Sequence, residues 1–411
     1  MVHLHALIAD KRTPTVFVLL AVIWLALGTA CTRQRGETSH ATGPRPSEAR
    51  TANIDKRTAG KAHLAIRDTA FVKDGVPFEW RGITAFRLAE MIAHGRERDA
   101  IAYLDWAAKQ KLTIVRVLLM ADSLFQLTPQ DGVRAAPRLL ELAAERGLHV
   151  ELVALADTAR IKTDLEQHVE AVGAVAAAHD NALVEVANEP WHSTQDTRLH
   201  DPVFVKSLAA LVPDPLPVAL GSAERNPRYA AGSYATWHSP RSSGQEGWEH
   251  VLQLEQGAKL VAEWNKPVIS DEPIGATTTE LIPGRRDNAP ERFAAAAAVT
   301  RLAGLGATFH YEGGLLAQIP TGRELDCLTA WSAGLDLVST LPTGGSFVPA
   351  AEVSRVGEIR DVRAAFAREY ATELWVVAVD PGADASVALG GGWKVERTRG
   401  TSGVRVVRGR R

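Results

Sequence analysis

Residues 181–190 read NALVEVANEP, and residues 266–273 read KPVISDEP. Each is a short apolar, β-branched run that ends abruptly on a carboxylate followed by proline. Runs this short, apolar on both faces, are what parallel strands covered by helices look like. A carboxylate at the end of such a strand is costly unless something pairs with it or uses it. Glu189 and Glu272 are therefore the residues from which the fold and the chemistry are read.

Working outward, six more segments share the pattern: PFEWRGITAF, LTIVRVLLM, LHVELVALAD, LPVALGSAE, SYATWHSP and GATFHYEGG. Helix-like stretches at 97–110, 132–146, 161–179, 244–264 and 290–304 lie between strands, and one at 322–338 follows the last. Eight strand–helix units within residues 61–340 predict an α/β fold of the (β/α)8 TIM-barrel type. Only ERNPRYAAGSYA separates the fifth and sixth strands, so the helix there is expected to be vestigial. An open doubly wound sheet would usually carry a Gly-rich phosphate loop after its first strand, and RGITAFRLAE has none. Residues 341–411 change character. ELWVVAVD, ASVAL, WKVER and GVRVVRG predict a small C-terminal antiparallel β domain that leans on the barrel for stability.

The N-terminus reads separately. Lys11 and Arg12 precede the apolar run TPTVFVLLAVIWLALGTA, and Cys31 follows it. The pattern resembles a bacterial lipoprotein signal over 1–31 with lipid on Cys31, although Gly28 stands where that signal usually has Leu. Secretory cleavage and an uncleaved anchor are the other readings. All three export the chain to the cell envelope or beyond, with membrane contact only through this segment. Residues 32–60 have almost no large apolar side chains and read as a flexible linker.

With 46 Lys+Arg against 48 Asp+Glu, the charge is balanced, which argues against a nucleic-acid partner. Cys31 and Cys327 are the only cysteines, and no Cys/His cluster has metal-site spacing, so no metal is expected. Cys327 is expected to be a small buried apolar residue. Trp80, Trp106, Trp264 and Trp331 sit inside regular segments and are expected in the core.

In a TIM barrel, functional groups gather at the C-terminal ends of the strands. Strands four and seven lie on opposing arcs, so Glu189 and Glu272 can face one cleft. Two facing carboxyl groups are what glycoside hydrolysis needs, one protonated to assist the leaving oxygen and one ionised. Strict alternation would put Asn188 and Glu189 on opposite faces, so the strand must twist or bulge at its end. Glu185, within the same strand, is a competing structural partner for Arg116.

Over residues 61–340 the sequence resembles the clan A glycoside hydrolases, which include the family 5 cellulases and mannanases. The resemblance implies that Glu189, after Asn188, is the acid/base and Glu272 the nucleophile. It also implies that Arg116 in TIVRVLL steadies the nucleophile and that His238 in YATWHSP is the strand-six histidine. Asn188, Arg116 and His238 would bind the substrate, an oligo- or polysaccharide. Trp191 and Tyr311 are further candidates, for stacking on a sugar or, for Tyr311, a hydrogen bond to the nucleophile. No cofactor is required. Three departures stand out. Asp157 lies where a histidine is common, Pro240 where a tyrosine is common, and His310–Tyr311 where a tryptophan platform is usual. They motivate a second reading, a carbohydrate-binding barrel without catalysis.

Overall fold

The computed structural model describes residues 64–277 and 286–411. The signal over 1–31, Cys31 and the linker over 32–60 lie outside the described residues. Among the described residues no helix is long and apolar enough to cross a membrane.

The expected barrel forms. Its strands are β1 (Arg81–Thr84), β2 (Ile114–Leu118), β3 (His149–Leu155), β4 (Ala182–Ala187), β5 (Val218–Ala219), β6 (Ala235–Trp237), β7 (Val268–Ser270) and β8 (Gly306–Phe309). They hydrogen-bond in ring order, each parallel to its neighbours, and a parallel bridge from Ser222 to Thr236 joins the two ends. The helices α1 (Glu97–Lys109), α2 (Pro129–Ala144), α3 (Leu165–Ala177), α4 (Pro202–Ala209), α5 (Glu255–Trp264), α6 (Pro290–Leu302) and α7 (Gly322–Leu337) surround it. Local chemistry sets their starts. Thr128 and Asp164 accept hydrogen bonds from the amides of Asp131 and Gln167, and Pro129 and Pro202 occupy first turns. Between β5 and β6 there is only the 3-10 turn Pro227–Ala231, as the short spacing predicted.

Side chains inside the barrel form layers. The lowest is apolar: Trp80, Ile114, Leu183, Ala219, Tyr234 and Ile269, closed from beneath by Leu64 and Phe71. Phe71 belongs to a three-stranded antiparallel sheet (Ala65–Arg67, Ala70–Lys73, Val76–Pro77) that stoppers this end. Two residues further along the strands the layer becomes polar, with Arg116, Glu151, Glu185 and Thr236 all buried. Period-two alternation carries the interior from the apolar floor to this layer.

The C-terminal sheet has five antiparallel strands: β9 (Ser346–Val348), β10 (Gly357–Glu369), β11 (Glu373–Leu389), β12 (Lys394–Thr401) and β13 (Val404–Arg410). Phe366, Trp375, Val377, Val379, Val404 and Val406 share a core with Ala294, Ala298, Val299 and Leu302 of α6. ELWVVAVD and ASVAL are one continuous strand. Cys327, Trp80 and Trp331 are buried, and Trp106 and Trp264 pack half-buried on the main core.

Candidate active site

The strand ends of β2, β4, β6 and β7 converge on one network. Arg116 on β2 is 1% exposed, and four carboxylates surround it. Its Nε and Nη2 donate to Glu185 Oε2 at 2.9 and 2.7 Å, and Nη1 donates to Glu272 Oε1 at 2.6 Å. Asp271 and Glu151 lie 3.4 and 3.7 Å away. Nη2 also donates to Asn188 Oδ1 at 2.8 Å. A charge this deep persists only when paired. Glu185 does compete for Arg116, but the guanidinium has enough donors to hold Glu185, Glu272 and Asn188 together.

The geometry at Asn188–Glu189 answers the alternation problem. Glu189 has φ +42°, a left-handed conformation uncommon for a residue other than glycine. This turns its side chain back toward the barrel axis next to Asn188. The turn rests on Gly221 after β5. A Cβ there would lie 2.1 Å from the Ala187 carbonyl oxygen and 2.8 Å from Pro190, so a side chain is sterically barred.

Glu189 and Glu272 are linked through two shared cations. His238 Nδ1 donates to Glu189 Oε1 at 3.0 Å, while its Nε2 is 3.5 Å from Asp271 and 3.8 Å from Glu272. Arg241 Nη2 donates to Glu189 Oε1 at 3.0 Å, and its Nη1 is 3.6 Å from Glu272 Oε2.

The charges follow from this arrangement. Burial works against a protonated His238, but the Glu272 and Asp271 charges outweigh it and raise its pKa to about 10. Burial would raise Glu272, yet His238 and Arg116 hold its carboxyl well below the usual range. Glu189 is also lowered: the hydrogen bond and charge of His238, with Arg241, overcome burial and the repulsion of Glu272. Deeper in, burial and Glu185 push Glu151 well up, and burial lifts Glu185 to about 7. Tyr234 and Thr236 hydroxyls donate to these two at 2.9 and 3.0 Å. Glu189, Glu224 and His238 bring ligand-type atoms within 4.8 Å of one another. Positive charge is already supplied there by His238 itself and by the Arg241 guanidinium on Glu189.

Five of the seven candidates thus meet: Glu189, Glu272, Arg116, Asn188 and His238. Trp191 flanks them, but its indole N–H donates to the Ser222 carbonyl at 3.2 Å and the Arg225 guanidinium lies 4.2 Å over its ring. At least one face is therefore covered. Tyr311 needs correction. It is fully buried, it donates its hydroxyl proton to the Gln318 carbonyl at 2.6 Å, and it shares a 2.9 Å hydrogen bond with Tyr103. It packs beneath the loop after β8 and offers a sugar neither a face nor a hydroxyl. His310 beside it is buried against Thr84 at 2.9 Å, and burial lowers its pKa to about 3. Asp157 is tied to Ser123.

Arg241 and Asp271 were not anticipated. Asp271 stood beside Glu272 in the quoted motif, but Arg241 lies in a Ser/Gly-rich loop that gives no spacing signal. Glu151 carried the same signal as Glu185, a lone carboxylate inside an apolar strand.

A solved glycoside hydrolase superposes on 85% of this chain and 97% of its own, with TM-score 0.58 and 14% identity. A family 5 glycoside hydrolase from Bacteroides vulgatus gives 0.56 at 15% identity, over 85% and 94% of the two chains. The chain has the glycoside hydrolase family 5 fold. A family 5 mannosidase from Rhizomucor miehei matches at 0.50 and 12% identity, over 68% of this chain and 99% of its own. No protein-family model matches the sequence, and no curated protein matches it. The family 5 likeness therefore extends to architecture.

Proposed function

We propose that this chain is a retaining glycoside hydrolase acting on a β-linked glycan such as a mannan or glucan. Glu189 is the acid/base and Glu272 the nucleophile. One observation carries the reading. The carboxylates at the ends of β4 and β7 share His238 and Arg241, and Glu272 is also ion-paired to Arg116. In the first step a Glu272 oxygen bonds to the anomeric carbon as the glycosidic C–O bond breaks, and Glu189 gives its proton to the departing oxygen. In the second, Glu189 takes a proton from water, the water oxygen bonds to the anomeric carbon, and the Glu272 ester opens. Arg116 keeps Glu272 ionised for attack. It also accounts for Asn188 Oδ1, leaving the amide Nδ2 to donate to a sugar 2-hydroxyl.

Glu272→Ala should abolish turnover of aryl β-glycosides, and azide should restore it with an inverted glycosyl azide as product. Undiminished hydrolysis by this variant overturns the assignment. NMR of the first-formed sugar tests retention directly.

A non-catalytic carbohydrate-binding barrel is the second reading, favoured by Glu189 being held ionised where an acid must carry a proton. Hydrolysis of any aryl β-glycoside by the native chain excludes it. We also propose that the chain is exported and lipid-anchored through Cys31. Metabolic labelling with an alkynyl fatty acid should mark the native chain and not Cys31→Ser.

A further inference from the structure

The position of Arg241 conflicts with the reaction just proposed, on which this inference rests. The anomeric carbon must sit between the two carboxyl groups, with the leaving oxygen at Glu189. Arg241 spans them already, 3.0 Å from Glu189 Oε1 and 3.6 Å from Glu272 Oε2. A guanidinium and a sugar ring cannot share that space.

Arg241 differs from Arg116 in being able to leave. Its side chain is 31% exposed against 1%, so a path to solvent exists. It lies in the loop after β6, which contains Gly244 and Gly247 at φ +64° and +80°, backbone that glycine adopts readily. A second acceptor is at hand. Glu224, exposed in the loop after β5, lies beside Glu189 and His238 and adds to the charges acting on Arg241.

We propose that Arg241 is a positioning residue that fills the sugar position between Glu189 and Glu272 in the ligand-free protein, and that an arriving glycan displaces it outward, past Glu224 into solvent. The displacement changes the charges facing Glu189. In the ligand-free protein these are His238 from β6, Arg241 from the following loop, Glu272 from the end of β7 and Glu224 from the loop after β5. Arg116 on β2 acts more remotely, through Asn188 and Glu272. Burial and the Glu272 charge favour the protonated carboxyl; removing Arg241 takes away one of the two cations that oppose them, while the hydrogen bond and charge of His238 remain. Substrate arrival thus moves Glu189 toward the protonated form that an acid needs.

The test is Arg241→Gln, with Arg241→Lys as the charge-preserving control. In ligand-free protein carrying 13C-labelled glutamate, the Glu189 carboxyl should titrate higher in the Gln variant than in the native protein. It should stay near the native value with Lys. With 4-nitrophenyl β-glucoside or β-mannoside, the pH profile of kcat/KM reports the free enzyme and that of kcat the complex. Only the first should move on Arg241→Gln, and KM should fall several-fold. A Glu189 carboxyl that titrates alike in native and Gln proteins overturns the proposal, as do kcat and kcat/KM profiles shifting together. If the native protein hydrolyses no glycoside, the hydrolase reading fails. The NMR titration still decides the Arg241–Glu189 coupling, because it needs no substrate.

Discussion

Arg116 carries its charge into a part of the barrel that water does not reach, and its partners depend on it as much as it depends on them. Replacing it with Met strands Glu272 and Asn188 and leaves Glu185 without its main donor. Breaking a buried pair in this way costs about 3–5 kcal/mol. Urea unfolding at pH 7 should show that loss, with a smaller one near pH 4, where stranded carboxylates take up protons. His238 makes the opposite kind of statement about pH. Its folded-state pKa is raised to about 10, so its stabilisation is complete below the unfolded value of ~6.5 and is lost as pH rises through 10. His238→Asn should therefore be markedly less stable than the native protein at pH 6. The gap should close as melting is followed from pH 6.5 to 10; a constant gap would show that the imidazolium is not what matters.

Among the elements, α6 faces the tightest demands. Its sequence PERFAAAAAVTRL has little amphipathic contrast because it is covered by the barrel, by α7 and by the C-terminal sheet. Small residues allow the close approach to α7. A Cβ on Gly334 would fall 2.1 Å from the Ala294 carbonyl oxygen. Gly334→Ala should destabilise by about 1–3 kcal/mol in urea titrations, despite the better helix propensity of alanine. The eight barrel strands were legible because parallel strands buried on both faces leave short, uninterrupted apolar runs. β10 was not: a bulge between Arg360 and Val362 breaks the alternation of GEIRDVRAAFARE, and its buried stretch Ala365–Phe366–Ala367 is mostly alanine. α4 escaped notice because eight residues are too few to display a helical period. At the site, carboxylates on strand ends stood out, whereas Arg241 reaches it from a loop whose course no local pattern records. Tyr311 misled because an aromatic residue after a strand reads the same whether it faces the cleft or the core.

For the molecule as a whole, barrel and sheet form one hydrophobic body. A chain ending at residue 341 would uncover Trp248, Ala294, Ala298, Val299 and Leu302 together, a contiguous apolar face. Such a fragment should aggregate on size-exclusion chromatography under conditions where the full chain runs as a defined species; a well-behaved, cooperatively melting fragment would show that the barrel stands alone. The small sheet carrying Phe71 has a different consequence. It covers the floor of a barrel whose packed interior already makes it a cup, so what reaches the two glutamates comes and goes over the rim of strand ends. In the two-step hydrolysis proposed above, the first fragment released stands in the path of the incoming water. Its departure must precede the second step, and any larger acceptor alcohol queuing at that rim would compete with water for the bound sugar.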